Sequence, residues 1–239
     1  SGEKVRFSAD AFGKFGALSR TGGLLGVSLQ MWRSEARRYY FNICGKYGPQ
    51  VQKLLGKAAA LDIRMICPLH GPVLDSDPAG AVKLYDVWSA YVPETSGVLI
   101  AHASIHGGTA LAAERLARML EESGVKVSVR DLCRCGISYA VSDAFRYDRV
   151  VLAASSYDGG LFPPMYDFLH HLQIKNWQKR KVALIENGSW APTAGKVMAD
   201  MLSTMKEIEL TGSKVTIRSR LHESDIPALE ALAEAIRGI

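Results

Sequence analysis

The chain has no apolar stretch approaching the ~18 residues that a membrane-crossing helix requires, although 48% of its 239 residues are hydrophobic. It does not open on a secretory leader, because Ser1 to Ala9 is polar and short of apolar residues. It holds only four cysteines, Cys44, Cys67, Cys133 and Cys135, too few for a disulfide framework. Cys133-Arg-Cys135 is C-x-C, not the C-x-x-C of redox or zinc sites. These absences read as reduced thiols in a cytoplasmic protein. There is no basic run, no nucleic-acid motif and no interleaving of aromatic with basic residues, so nucleic acid is not an expected partner. No membrane partner is expected either.

What is present is unevenly charged. Residues 1–96 hold 12 Lys+Arg against 8 Asp+Glu, and residues 97–239 hold 17 against 16. Arg33, Arg37 and Arg38 fall on one expected helix. They make either a solvated face or a docking patch for an acidic protein. The phrase "VPETSGV", Val92 to Val98, combines Pro, Gly and small polar residues between two patterned segments. It puts a domain boundary near residue 96, dividing the chain into 1–96 and 97–239.

Beyond the boundary, apolar β-like runs alternate with amphipathic stretches. The expected strands are "VLIAHA" (98–103), "KVSVRDL" (126–132), "RVVLAAS" (149–155), "RKVALIEN" (180–187) and "KVTIRS" (214–219). The expected helices are 109–124, a short one closing on 142–147, then 164–174, 193–205 and 223–237. Continuous apolar strands between helices imply a parallel sheet covered on both faces. The fold class is therefore α/β, a doubly wound parallel sheet of five strands. Residues 1–96 differ. A strand and turn at "RFSADAFG", helices over 32–48 and 49–61, a strand over 62–74 and a helix over 79–92 supply little sheet, and do not read as a complete domain.

Ligands of open parallel sheets bind outside the carboxyl ends of the strands. Three loops lie there. Ser104-Ile105-His106-Gly107-Gly108-Thr109 follows the first strand and opens a helix. Its glycines permit close backbone approach and positive φ, its first-turn N–H groups lack helical partners, and Ser104 and Thr109 add hydroxyls. Without Lys or Arg inside it, the loop suits a phosphomonoester held by neutral donors. It is neither G-x-G-x-x-G nor a P-loop. The second loop, Ser155-Ser156-Tyr157-Asp158-Gly159-Gly160, and the third, Asn187-Gly188-Ser189-Trp190, each set an aromatic beside glycine. A planar aromatic ligand with a phosphate tail would fill this arrangement. Either ring taken alone could simply cap the sheet.

Residues 97–239 resemble a flavodoxin-like domain over their full length, with Ser104–Thr109 where the FMN phosphate loop lies. The resemblance implies FMN as the ligand, with Tyr157 and Trp190 in the loops flanking its ring. Two side chains then invite hypotheses. His106 in the phosphate loop would tie affinity to pH if it faced the dianion. Asp158 near the ring would lower the flavin's potential.

In the first part, Asp10 follows a strand in "FSADAFG" and His70 follows another in "ICPLHGPV". Such residues at strand ends suit a transition metal, although an isolated Asp or His is structural far more often. "FSADAFG", "YYFNI", "ICPLHGPV" and "YDVWSAY", in this order and joined to a flavodoxin-like domain, closely resemble the flavodiiron proteins, or A-type flavoproteins. The resemblance spans essentially all 239 residues. It implies that residues 1–96 are part of a metallo-β-lactamase-like domain, that Asp10 and His70 are metal ligands, and that FMN relays electrons to two irons. There dioxygen would be reduced to water, or nitric oxide to nitrous oxide. It further implies a homodimer and a donor such as rubredoxin or a flavin- or NADH-linked reductase.

One departure is large. None of the six histidines (His70, His102, His106, His170, His171, His222) belongs to the family's H-x-E-x-D-H motif. The chain is therefore expected to be the C-terminal portion of a longer protein, binding FMN but unable to assemble the diiron site without the missing ligands. The alternative is an FMN electron carrier with no metal chemistry. A zinc hydrolase on the same fold is a third reading, disfavoured because hydrolysis needs no flavin.

Overall fold

The computed structural model describes residues 5–18 and 27–238. The chain divides into two compact units, Ser1–Val92 and Pro93–Ile239. The division falls ahead of the expected boundary near 96, because the first strand of the second unit already begins at Thr95.

In the first unit, β1 (Val5–Phe7) pairs in parallel with β2 (Met65–Cys67). Helices α1 (Leu29–Tyr39), α2 (Gly48–Ala58) and α3 (Pro78–Ser89) accompany them. Helix α3 begins where Asp77 accepts from the Gly80 N–H at 2.8 Å and Pro78 supplies a preset φ. The core is aromatic: Trp32, Tyr40, Phe41, Tyr85 and Trp88 are fully buried. Phe12 stacks on Tyr85 at 4.1 Å, and the Tyr85 hydroxyl accepts the Phe12 N–H.

The single helix expected over 32–48 is broken. After Tyr39 the chain widens into a π turn at Tyr40–Cys44, then tightens into a 3₁₀ turn at Gly45–Tyr47. Packing is the reason. Tyr40 and Phe41 must both enter the aromatic core, and the Tyr91 hydroxyl clamps the exit, donating to Gly45 O and accepting from Gly48 N–H. The three-arginine face also disappears. Arg37 is buried, and Arg38 pairs with Glu35 while lying over the Phe15 ring at 4.4 Å.

The second unit carries β3 (Thr95–Ala103), α4 (Gly108–Glu122), β4 (Val127–Asp131), α5 (Ile137–Arg146), β5 (Tyr147–Tyr157) and β6 (Gly160–Leu161). Then come α6 (Pro163–Ile174), β7 (Arg180–Asn187), α7 (Ala194–Leu202), β8 (Ile208–Leu210), β9 (Val215–Ile217) and α8 (Ile226–Arg237). Strand order is β4-β3-β5-β7-β8, with β9 further along the same edge of β7. Every pairing is parallel except the β5–β6 hairpin. Five strands were expected; β6 and β8 are additional, too short to leave a periodic signal.

Alternation along the central strands fills both faces. Val98, Ile100, Val151, Ala153, Ala183 and Ile185 pack with Leu116 and Leu120 of α4 and Leu229 and Leu232 of α8 in one core. Their neighbours Leu99, Val150, Leu152 and Val182 are equally buried and serve the opposite face. Fully burying such a side chain contributes ~1.5–3 kcal/mol. Strand order reverses beside β3, so the loops leaving β3 and β5 open a crevice at the carboxyl rim.

Candidate functional site

That crevice is a cleft of about 390 Å³, walled by all three of the expected loops. At one end, Gly107 (φ 89°) turns the chain and α4 starts at Gly108 with no side-chain cap. Its first-turn N–H groups therefore open outward, with the positive end of the helix dipole behind them. Ser104 stabilises the turn from within: its hydroxyl accepts the Gly107 N–H at 3.1 Å. Gly108 is required sterically, since a Cβ there would collide with the Ser219 carbonyl oxygen. Ile105 and His106 are exposed at the rim.

The expected residues divide by role. Ser104, Ile105, His106, Gly108, Thr109, Ser155, Ser156, Tyr157, Asp158, Gly159, Asn187, Gly188, Ser189 and Trp190 line the cleft. Gly107 and Gly160 do not; one turns the loop and the other pairs with Tyr157 in the hairpin. Several hydroxyls expected to face a ligand are engaged in holding the walls. Thr109 is fully buried and bonds Ser155 at 2.9 Å. The Ser156 hydroxyl accepts from the N–H groups of Thr193 and Ala194 at 2.8 and 3.1 Å, capping α7.

Two rings also line the cleft. Trp190 is 91% exposed and Tyr157 is 46% exposed, well above what apolar rings of this size ordinarily leave to water. Following Tyr157, Asp158 (φ 48°) and Gly159 (φ 70°) form the tip of the β5–β6 hairpin.

Ala191, Thr193 and Ser219 also line the cleft and were not anticipated. Ser219 lies just after the fifth expected strand, at the same rim. The rule that selected the other three loops selects this fourth one too, but it contains no glycine or aromatic to draw notice. Ser219 has φ 66°, exchanges two 2.9 Å hydrogen bonds with the Asn187 amide, and meets the Ser189 hydroxyl at 2.8 Å.

In the first unit, Asp10 and His70 do come together, with Oδ1 and Nε2 3.2 Å apart. The Asp10 turn is strained: Ala9 and Phe12 both have positive φ (51° and 67°), each costing ~1–3 kcal/mol for a non-glycine residue. Backbone bonds from Leu69 N–H to Ala9 O and from Lys14 N–H to His70 O fix the two loops side by side. Burial pushes the Tyr39 hydroxyl up to about 12 and the Cys44 thiol up to about 11, with Asp10 adding to both. Among the described residues, no group of three or more His, Cys, Asp or Glu side chains is placed to hold a metal.

Residues 99–215 match the family described as flavodoxin domain. The flavo-diiron protein FprA2 of Clostridium acetobutylicum is 21% identical over 217 residues, covering 87% of this chain and 52% of its own. The rubredoxin oxygen:oxidoreductase of Desulfovibrio gigas superposes with a TM-score of 0.87 over 98% of this chain and 59% of that one. This chain is thus similar to flavodiiron proteins along most of its length and to a flavodoxin domain over residues 99–215. At 22% identity, the likeness to the Desulfovibrio structure speaks to the fold. An uncharacterized protein of Methanocaldococcus jannaschii is similar as well, 25% identical over 205 residues, or 85% of this chain and 51% of that one. The chain spans about half the length of the curated relatives it matches. Among its described residues, no helix is long and apolar enough to cross a membrane.

Proposed function

We propose that the Pro93–Ile239 unit binds FMN in the rim cleft and serves electron transfer within a flavodiiron-type oxidoreductase. The observation that carries this reading is the convergence, at the reversal of strand order, of an uncapped helix N-terminus and two exposed rings on one cleft. The residues present fit the cofactor. The α4 first turn, with Ser104 and Gly108, would hold the phosphate, and Tyr157 and Trp190 would flank the ring. When bound, the flavin supplies one- and two-electron carriage. The chain's own residues would bind the phosphate without a countercharge in the loop and would set a carboxylate, Asp158, in the same cleft.

The first unit reads as the C-terminal portion of a metallo-β-lactamase-like domain, with Asp10 and His70 as two of its ligands. Two side chains do not fit a pair of irons, which need several His and carboxylate donors. Reduction of dioxygen or nitric oxide belongs to the assembly that supplies the remaining ligands. A small redox protein such as rubredoxin, or an NADH-linked reductase, is the fitting donor, and a homodimer the fitting assembly. The scarcity of metal ligands among the described residues favours a second reading, an FMN carrier without metal chemistry.

Titration of the purified chain with FMN tests the first claim. Saturation at one flavin per chain, with quenched flavin fluorescence, is expected; no uptake overturns it. Metal analysis of the full-length protein separates the two readings, with iron supporting the oxidoreductase and its absence the carrier.

A further inference from the structure

Glu186 is a buried charge outside the roles assigned above. It is the penultimate residue of β7, immediately before the cleft-lining Asn187. Its carboxylate is 3% exposed, yet fully engaged. One oxygen accepts the Gly195 N–H at 2.8 Å, at the start of α7. The other accepts the Thr216 hydroxyl at 2.8 Å and pairs with Lys214, both at β9. Burial alone would raise its pKa, but these partners hold it below the ordinary carboxylate range.

The location explains why a charge sits there. β9 has three residues and is separated from β8 by a turn, so it is a marginal edge element. It nevertheless leads to Ser219, which covers Gly108 and bonds Asn187 and Ser189. The 188–193 turn bearing Trp190 is likewise held at its far end by the start of α7. One carboxylate ties both. Only the carboxylate of this pair is buried, Lys214 being 39% exposed; ion pairs with a buried partner seldom add net stability over an apolar substitute, and in some proteins they enforce one geometry.

We propose that Glu186 is a positioning residue of the cofactor cleft. Through Gly195, Thr216 and Lys214 it registers the Trp190 turn and Ser219 against the anion-binding end of α4, and with Lys214 it forms a charge pair that the bound cofactor senses. This rests on the FMN reading above.

Three single variants and one double variant test it. Glu186→Ala is expected to speed amide exchange at Gly195 at least about tenfold in the flavin-free chain and to weaken FMN binding roughly tenfold, the loss of one capping acceptor. Glu186→Gln keeps an acceptor oxygen and is expected to restore both. Glu186→Gln leaves Lys214 uncompensated and should raise the flavin midpoint potential. Lys214→Met leaves the carboxylate uncompensated and should lower it at pH 8. The double variant should return near the wild-type value. Unchanged Gly195 exchange in Glu186→Ala overturns the positioning claim. Potential shifts of one sign, or none, overturn the charge-pair claim, and this measurement decides even if Glu186→Ala does not fold. Should the wild-type chain take up no FMN, the functional reading fails, while Gly195 exchange still decides the positioning claim.

Discussion

Single residues shape the loop at the head of α4, and Gly107 and Gly108 do so for different reasons. A Cβ at Gly107 meets open space, so Gly107→Ala pays only for its left-handed φ, about 1 kcal/mol. A Cβ at Gly108 strikes the Ser219 carbonyl, a backbone atom that Asn187 holds in place. Gly108→Ala is expected to cost about 1–3 kcal/mol and to reduce FMN affinity more than Gly107→Ala does; urea denaturation and flavin titration of the pair measure this. The glycine pair was legible in the sequence as a phosphate loop, but the collision was not. It depends on Ser219, 111 residues along the chain.

Two buried titratable residues set the acid limit of stability. Burial pushes His102 below its ordinary 6.5, against the opposing pull of Asp131 and Glu114. Its Nδ1 has no hydrogen-bond partner. A depressed histidine pKa means the unfolded chain binds the proton first, so stability is held above about pH 6.5 and lost as pH falls below it. Glu186 acts in a lower window. Its folded pKa lies below the ordinary 4.5, so its contribution is present above that value and fades as pH drops further. Urea midpoints are therefore expected to fall from pH 7 to 5 and again below about 4.5. His102→Leu should flatten the first decline and Glu186→Gln the second. A first decline undiminished in His102→Leu refutes that assignment.

At the scale of elements, the β5–β6 hairpin is the most informative. Its two tip residues, Asp158 and Gly159, both have positive φ, the pattern of the tight turns in which Asn-Gly and Asp-Gly are favoured. Asp158→Asn is expected to leave stability within ~0.5 kcal/mol while raising the potential of the bound flavin, because a carboxylate near the ring is removed. Asp158→Val should cost about 1–2 kcal/mol by forcing a β-branched residue into that conformation. Thermal melts and potentiometry of the two variants separate the turn role from the charge role. The alternation of apolar strands and helices made the second unit's architecture readable from residue 98 onward. The hairpin lies within and just beyond the second loop, Ser155–Gly160, and its brevity hides it from the sequence pattern. The break in the helix after Tyr39 was unreadable for another reason: it arises from packing against Tyr85 and Trp88, far along the chain, which overrides local helical preference.

For the whole molecule, the two units differ in what they need. The second buries a continuous core between sheet and helices, whereas the first rests its two-stranded sheet on helices and leaves Phe7 78% exposed and Leu69 72% exposed. Two strands give little independent stability, and neither an aspartate nor a histidine alone retains iron. Asp10 and His70 were picked out by a family resemblance in their loops, and they do meet; the remaining donors are absent from the described residues. After desalting in the presence of ferrous iron and FMN, the chain is therefore expected to keep about one flavin and less than one iron. Addition of a polypeptide carrying the family's remaining ligands should raise iron towards two per chain, and Asp10→Ala or His70→Ala should prevent that rise without lowering the flavin content. Two irons retained by the chain alone would mean that ligands outside the described residues complete the site. Iron gained equally well by the Asp10 and His70 variants would remove both residues from it.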